Sequence, residues 1–300
     1  MADSKPLLAG VELGGTKCIC ILASGPDDIR EQQRVDTGSP DKTLDAIDVI
    51  LSRWQTEHGF TALGLASFGP LDLDERSPGY GRIVATPKRG WSGTDILSRV
   101  RHFAVPIGFD TDVNAAAIAE GRWGAARGLR SYAYVTVGTG VGVGAIIEGR
   151  AVRGLGHCEA GHLRVPRLAG EDWPGNCPYH GDCVEGLAAG PAIQARTGLP
   201  ASDLPPDHPA WGEVVHTLAA LFHNLVFTTA PERILLGGGV GGGQPHLIPR
   251  IRQALVKSLG GYAIAPAIAA RIDDFVQTPA LGAAAGPLGA IALALASQQH

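Results

Sequence analysis

E-L-G-G-T-K, residues 12–17, lies between two short apolar runs at 7–11 and 18–23. A strand, a Gly-Gly turn carrying Thr and Lys, and a second strand make a hairpin. Its turn exposes backbone N–H groups and a hydroxyl, and successive free N–H groups form a concavity for an anion such as phosphate. It is not a P-loop, because G-x-x-x-x-G-K-[ST] is absent and no helix follows. Standing alone it is equally an ordinary hairpin turn. The pattern recurs at 138–144, G-T-G-V-G-V-G, between an apolar run at 131–137 and one that reaches Ile147. A duplicated pair of domains facing one nucleotide would show this recurrence.

Outward from the first turn, a third strand is expected near 31–36. Leu44, Ile47, Ile50, Leu51 and Trp54 have helical spacing over 41–58, with Ser39 or Asp41 as cap. Residues 62–68 read as a buried strand ending at Gly69-Pro70. A loop-rich stretch follows over 72–91, and then a helix over 94–103. A strand at 106–109 runs into D-T-D-V-N, residues 110–114, with a helix from about 113 to 126. Asp112 thus sits at a strand's carboxyl end and a helix's amino end. The helix dipole there favours an ionised carboxylate, which suits a general base for a sugar hydroxyl. An N-cap role for Asp112 is the equal alternative.

Beyond the second turn, residues 185–197 read as helical with Gly190-Pro191 inside, 211–228 as a long helix and 233–236 as a strand. G-G-G-V-G-G-G follows at 237–243. Two stretches nominally fit a dinucleotide fingerprint. Gly140-x-Gly142-x-x-Ala145 opens a strand and is rejected. Gly237-x-Gly239-x-x-Gly242 lacks an acid over 244–272 for the ribose. Its glycines suit close backbone approach to adenosine or its phosphates. Residues 280–297 read as a helix that returns to the N-terminal domain.

Between the second turn and these helices lies G-H-C-E-A-G-H, then C-P-Y-H-G-D-C-V-E. Zn²⁺ takes four N/S ligands tetrahedrally, and His162, Cys177, His180 and Cys183 supply two imidazoles and two thiolates. The alternative is two buried cysteines beside two surface histidines. A closed shell leaves no position for substrate, so the zinc is read as structural. Glu159 and Glu185 flank it and would point into a pocket.

The chain has 300 residues, 45% of them apolar, enough for one large domain or two ordinary ones. Gly is abundant at 42 residues, as many tight turns require. A net charge of −4 gives no footprint for nucleic acid. No apolar run reaches membrane-spanning length, and the N-terminus lacks the regions of a signal peptide. Five cysteines, three clustered with histidines, favour metal and free thiols over disulfides. Cys18 and Cys20 read as small strand residues. A cytoplasmic protein is expected.

Taken in order, these motifs resemble the ROK family of sugar kinases, within the actin/hexokinase/Hsp70-type ATPases, over nearly the whole chain. E-L-G-G-T-K is similar to its first phosphate motif and D-T-D-V-N-A-A-A-I-A-E to its catalytic segment. V-T-V-G-T-G-V-G-V-G is similar to its second phosphate motif, L-L-G-G-G-V to its adenosine motif, and E-A-G-H with C-P-Y-H-G-D-C-V-E to its zinc signature. Glu12, Thr111 and the Cys-x2-His-x2-Cys turn, with S-F-G-P-L-D-L and A-T-P-K-R-G-W, resemble the bacterial fructokinase branch. ROK repressors carry an N-terminal DNA-binding domain, for which Glu12 leaves no room.

The resemblance implies an α/β, two-domain actin-like ATPase (ribonuclease H-like) fold with an inserted zinc loop at 157–185. It implies a small domain over 1–115, joined by a helix at about 285–300, and a large domain over 116–284. The implied activity is ATP-dependent phosphorylation of D-fructose with Asp112 as base; a broader hexose kinase or a silent sugar sensor is the alternative. Gly14, Gly15, Thr16, Thr139 and Gly140 would cradle phosphates, and Glu12 would help place Mg²⁺. Lys17 would neutralise phosphate or be a solvated turn residue. Pro191, Gly237, Gly238, Gly239, Val240 and Gly241 would lie at the nucleotide. Gly69, Pro70, Thr111, Asp112, Glu159, His162 and Glu185 would meet the sugar. Domain closure would exclude water, and a homodimer is implied.

Overall fold

The computed structural model describes residues 6–298. The chain divides into two compact units. The first holds the described residues up to 127, with 152–157 and the stretch from 283 onward; the second holds 128–151 and 158–282.

In the first unit, β1 (Leu8–Leu13), β2 (Lys17–Gly25) and β3 (Asp28–Asp36) form an antiparallel meander. α1 (Pro40–Glu57) follows, then β4 (Leu63–Ser67), β5 (Ile107–Thr111) and α2 (Asp112–Trp123). The sheet order is β3-β2-β1-β4-β5, with β4 and β5 parallel to β1. α1 turns Leu44, Ile47, Leu51 and Trp54 inward at helical spacing. Full burial of Leu51 alone contributes about 1.5–3 kcal/mol.

The second unit begins with the meander β6 (Tyr132–Val137), β7 (Val141–Ile147) and β8 (Arg150–Ala151). α3 (Val184–Ala188), α4 (Gly190–Thr197) and α5 (Ala210–Thr229) precede β9 (Ile234–Gly237). α6 (Gly238–Gly241), α7 (Leu247–Leu259), α8 (Ala265–Ala270), α9 (Ile272–Phe275) and β10 (Val276–Gln277) complete it. β9 runs parallel to β6, and β10 to β9. The order β8-β7-β6-β9-β10 repeats the connectivity of the first sheet.

α10 (Ala285–Ser297) belongs to the first unit and lies directly on its sheet. Gly10, Gly64 and Gly108 stand side by side across β1, β4 and β5. A Cβ on Gly10 would sit 2.9 Å from that of Ala290. One on Gly64 would fall on the Ala290 carbonyl oxygen, and one on Gly108 on that of Leu293. Only glycine lets the backbones meet here.

Several elements differ from the sequence reading. Residues 94–103 form two short 3-10 turns, Leu97–Arg99 and Arg101–Phe103, in place of a helix. Ile96 donates its N–H to the Gly81 carbonyl, and Ser98 binds Asp95 through its own N–H and hydroxyl. These local bonds compete with the helical ladder. Of the two cap candidates for α1, Ser39 holds the N-cap position, without a side-chain cap bond. α2 starts at Asp112 and stops at Trp123, because Thr111 is the N-cap: its Oγ1 accepts from the Asn114 N–H at 3.1 Å. The helix expected over 185–197 is two helices, parted where Ala189 turns extended. The last helix begins at 285, not 280; residues 299–300 of its expected span lie outside the described residues.

Candidate active site

In the first unit, Leu13, Ser67 and Thr111 end β1, β4 and β5 in one row. The chain leaves this carboxyl edge three times: into the Gly14–Thr16 turn, toward Gly69-Pro70, and into Asp112. Ligands of α/β sheets bind outside such an edge. Gly15, Thr16 and Lys17 are exposed. The turn is fixed from behind, where the Gly14 N–H donates to the Lys17 carbonyl at 3.1 Å and the Thr37 hydroxyl to the Gly14 carbonyl at 2.8 Å. The Lys88 ammonium donates to the Gly15 carbonyl.

Glu12 lies on the sheet face under α10, where Gly286 has no side chain to collide with its carboxylate. Burial pushes the Glu12 carboxyl above the usual carboxylate range, and the nearby Lys17 charge partly offsets this. A divalent cation would restore its ionised form.

Asp112 occupies the first helical position of α2 and is half-buried. Its Oδ1 accepts from the Val113 N–H at 2.8 Å. Asp110, two residues earlier, is fully buried. It accepts from the Thr111 N–H at 2.7 Å, Asn114 Nδ2 at 2.9 Å and Arg153 Nη2 at 2.5 Å. His157 accepts from the Leu71 N–H at 3.0 Å, beside the cis Gly69-Pro70 bond. Sequence reasoning missed Asp110 and Arg153 and found no role for His157. Two acids flanking Thr111 were visible in D-T-D, but nothing local pairs Asp110 with a residue 43 positions away.

In the second unit, the turn at 138–140 joins Val137 to Val141, and Thr139 is exposed. It is clasped by its surroundings. Glu185 Oε2 accepts from the Val141 N–H at 3.0 Å, and the Gly190 N–H donates to the Gly138 carbonyl at 2.7 Å. Pro191, exposed, follows at the start of α4. After β9, Gly238 and Gly239 are exposed, whereas Gly237, Val240 and Gly241 are buried. Gly237 is held to glycine by Tyr134, whose Oη would lie 2.9 Å from a Cβ there.

His162, Cys177, His180 and Cys183 come together, with donor atoms within 4.8 Å of one another. The two Nδ1 atoms are 3.3 Å apart, and His162 Nδ1 is 3.7 Å from Cys177 Sγ and 3.6 Å from Cys183 Sγ. The edges of a tetrahedral zinc shell are about 3.3 Å for N···N and about 3.5 Å for N···S. The donor set therefore fits a four-coordinate ion. Burial pushes the Cys183 thiol up to about 11, so metal binding there releases a proton and weakens in acid. Glu159, exposed, precedes the 3-10 turn Ala160–His162. Cys18 and Cys20 are fully buried strand residues. Glu31, Glu57 and His58 also cluster, but Arg53 pairs with both glutamates and answers their charge.

Two sheets of one connectivity with helices, each ending in a glycine turn, define an α/β fold of the actin-like ATPase type. The ROK family profile matches residues 8–297, and the chain belongs to that family. It is 38% identical to the fructokinase of Pediococcus pentosaceus, over 98% of this chain and 99% of the other. It is 36% identical to the fructokinase of Zymomonas mobilis, over 99% of each. The ROK hexokinase of Thermus thermophilus superposes with a TM-score of 0.79 at 27% identity, covering 98% of this chain and 99% of that one. Among the described residues no helix is long and apolar enough to cross a membrane.

Proposed function

We propose that the chain is an ATP-dependent fructokinase, which transfers the γ-phosphoryl group of Mg-ATP to the 6-hydroxyl of D-fructose. The observation that carries the sugar is near full-length similarity to proteins named fructokinase. Position carries the chemistry: a half-buried carboxylate at a strand-to-helix junction, one residue past a row of strand ends.

Phosphoryl transfer needs in-line positioning and charge neutralisation more than covalent help from the protein. The sugar O6 attacks the γ-phosphorus, the bond to the β,γ-bridging oxygen breaks, and ADP leaves. Asp112 accepts the O6 proton, a contribution of roughly 10²–10⁴-fold. Gly15, Thr16, Thr139 and Gly140 receive phosphate oxygens through N–H and hydroxyl groups, while Gly14, whose N–H is bonded to Lys17, shapes the first turn. Lys17 is exposed beside the first turn and adds positive charge. The exposed Gly238 and Gly239, with Pro191, lie against the nucleotide, and the buried Gly237, Val240 and Gly241 shape that surface from beneath.

Glu12 would help hold Mg²⁺, an ion that keeps much of its hydration shell, and the ion would offset phosphate charge. Zn²⁺ would be held by His162, Cys177, His180 and Cys183 and would fix the loop. His162 turns Nδ1 to that cluster, which leaves Nε2 for a sugar hydroxyl. Of the other residues that the family resemblance gives to the sugar, the first unit holds Gly69, Pro70 and Thr111 and the second holds Glu159 and Glu185. The family resemblance supports a homodimer and a cytoplasmic location. An intact Asp112 and two exposed glycine turns weigh against a silent sugar sensor.

Phosphorus NMR of a reaction with Mg-ATP and fructose tests the assignment. Fructose 6-phosphate and ADP should accumulate one for one. Phosphate on another oxygen, or ADP without sugar phosphate, would overturn it.

A further inference from the structure

We infer that Glu185 positions the nucleotide: its carboxylate holds the second glycine turn in shape, so ATP affinity depends on it even when no sugar is bound. The inference rests on reading that turn as a phosphate site, and it gives Glu185 a task beyond the sugar.

Three segments converge on the turn, all within the second unit. Glu185 Oε2 accepts from the Val141 N–H at 3.0 Å. Gly161, in the turn before His162, packs on the carbonyl of the same Val141, where any Cβ would collide with that oxygen. The Gly190 N–H, opening α4, donates to the Gly138 carbonyl at 2.7 Å. Both ends of the turn are thus bonded to the chain that carries the Cys/His cluster.

Gly140 gives a second, independent sign. A Cβ there would lie 2.6 Å from Glu185 Oε2. The glycine that suggested phosphate contact is thus also the space the carboxylate needs. Cys183 adds rigidity, since its Sγ caps α3 by accepting from the Gly186 N–H at 3.4 Å. Glu185 sits in the first turn of that capped helix. Its Oε2 is committed to Val141, and Oε1 is the oxygen left for a sugar hydroxyl. One side chain therefore touches the sugar with one oxygen and fixes the phosphate turn with the other. A hydrogen bond from a backbone N–H to a carboxylate is charge-assisted and about twice as strong as a neutral one. Removing one methylene withdraws the acceptor from Val141.

The test is calorimetric titration of Mg²⁺ with a non-hydrolysable ATP analogue into the full chain without sugar, alongside thermal melting. Wild type binds. Glu185→Gln keeps an acceptor oxygen but loses the charge, and should fall between wild type and Glu185→Ala. Glu185→Ala and Glu185→Asp should weaken the analogue by about tenfold or more, an effect of the order measured for single hydrogen bonds to charged groups. Gly140→Ala should weaken it too, and adding Glu185→Ala to Gly140→Ala should cost little further, because both changes break one contact. The aspartate variant keeps the helix and the charge, so it reads the contact even if the alanine variant folds poorly. Glu185→Asp with wild-type affinity overturns the inference, as does simple additivity with Gly140→Ala. Failure of the wild type itself to bind would instead overturn the nucleotide reading.

Discussion

The two sheets share one strand order, yet their matching positions are filled differently. Four residues before its turn, β1 carries Gly10 and β6 carries Tyr134. The neighbouring parallel strands carry Gly64 and Leu235 at the paired positions. The first sheet is stripped to glycine so that α10 can lie on its backbone, and the second fills the same rows with side chains. The turns differ as well. The first is braced from behind by Thr37 and exposes Gly15, Thr16 and Lys17. The second is bonded at both ends, to Glu185 and Gly190. One duplicated plan thus has a half with an open turn and a half whose turn is bonded to the segment that follows the Cys/His cluster.

The comparison can be broken most severely at that cluster. Cys177→Ala should reduce bound zinc from one ion per chain to none, read by atomic absorption. Structural zinc binding is of order 10 kcal/mol, and each kcal/mol moves the melting temperature by about 2–4 °C in a domain of this size. A fall of about 10 °C or more is expected; a stable, metal-free, active variant would refute the structural role.

Asp112→Asn probes the proposed base in the first unit. It should lower kcat by about 10²–10⁴-fold, or about 3–5 kcal/mol, while calorimetry shows fructose still binding. The second sheet offers no counterpart: β10, which holds the place of β5, runs into Thr278 and Pro279, with no acid before the 3-10 turn Gly282–Ala284.

Gly64→Ala sharpens the contrast between the sheets. Its new methyl would fall on the Ala290 carbonyl and displace α10. Overpacking costs about 1–3 kcal/mol and sometimes more, and backbone against backbone leaves little to yield. Denaturant unfolding should show a loss of about 3 kcal/mol.

Much of this plan was legible in the chain itself. Both hairpins, the helical face of α1 and the four Cys/His residues follow from local spacing, because turn chemistry and periodicity act within a few residues. The failures have one physical source. Ile96, Leu97 and Val100 have helical spacing and are buried, but Gly81 and Asp95 take the hydrogen bonds a helix needs. Asp112 passed for a cap because Thr111 and Asp112 are both capping types, and only the fold gives Asn114 to Thr111. Asp110 with Arg153 and Glu185 with Val141 pair across 43 and 44 positions, distances over which no local pattern reaches.

A coupled ADP-release assay with Mg-ATP against fructose, mannose and glucose bears most directly on the central claim. The account predicts a kcat/KM for fructose about tenfold or more above the others, roughly 1.4 kcal/mol of discrimination. Equal rates on all three would contradict the fructose assignment while leaving a hexose kinase, and no turnover on any sugar would contradict the kinase itself.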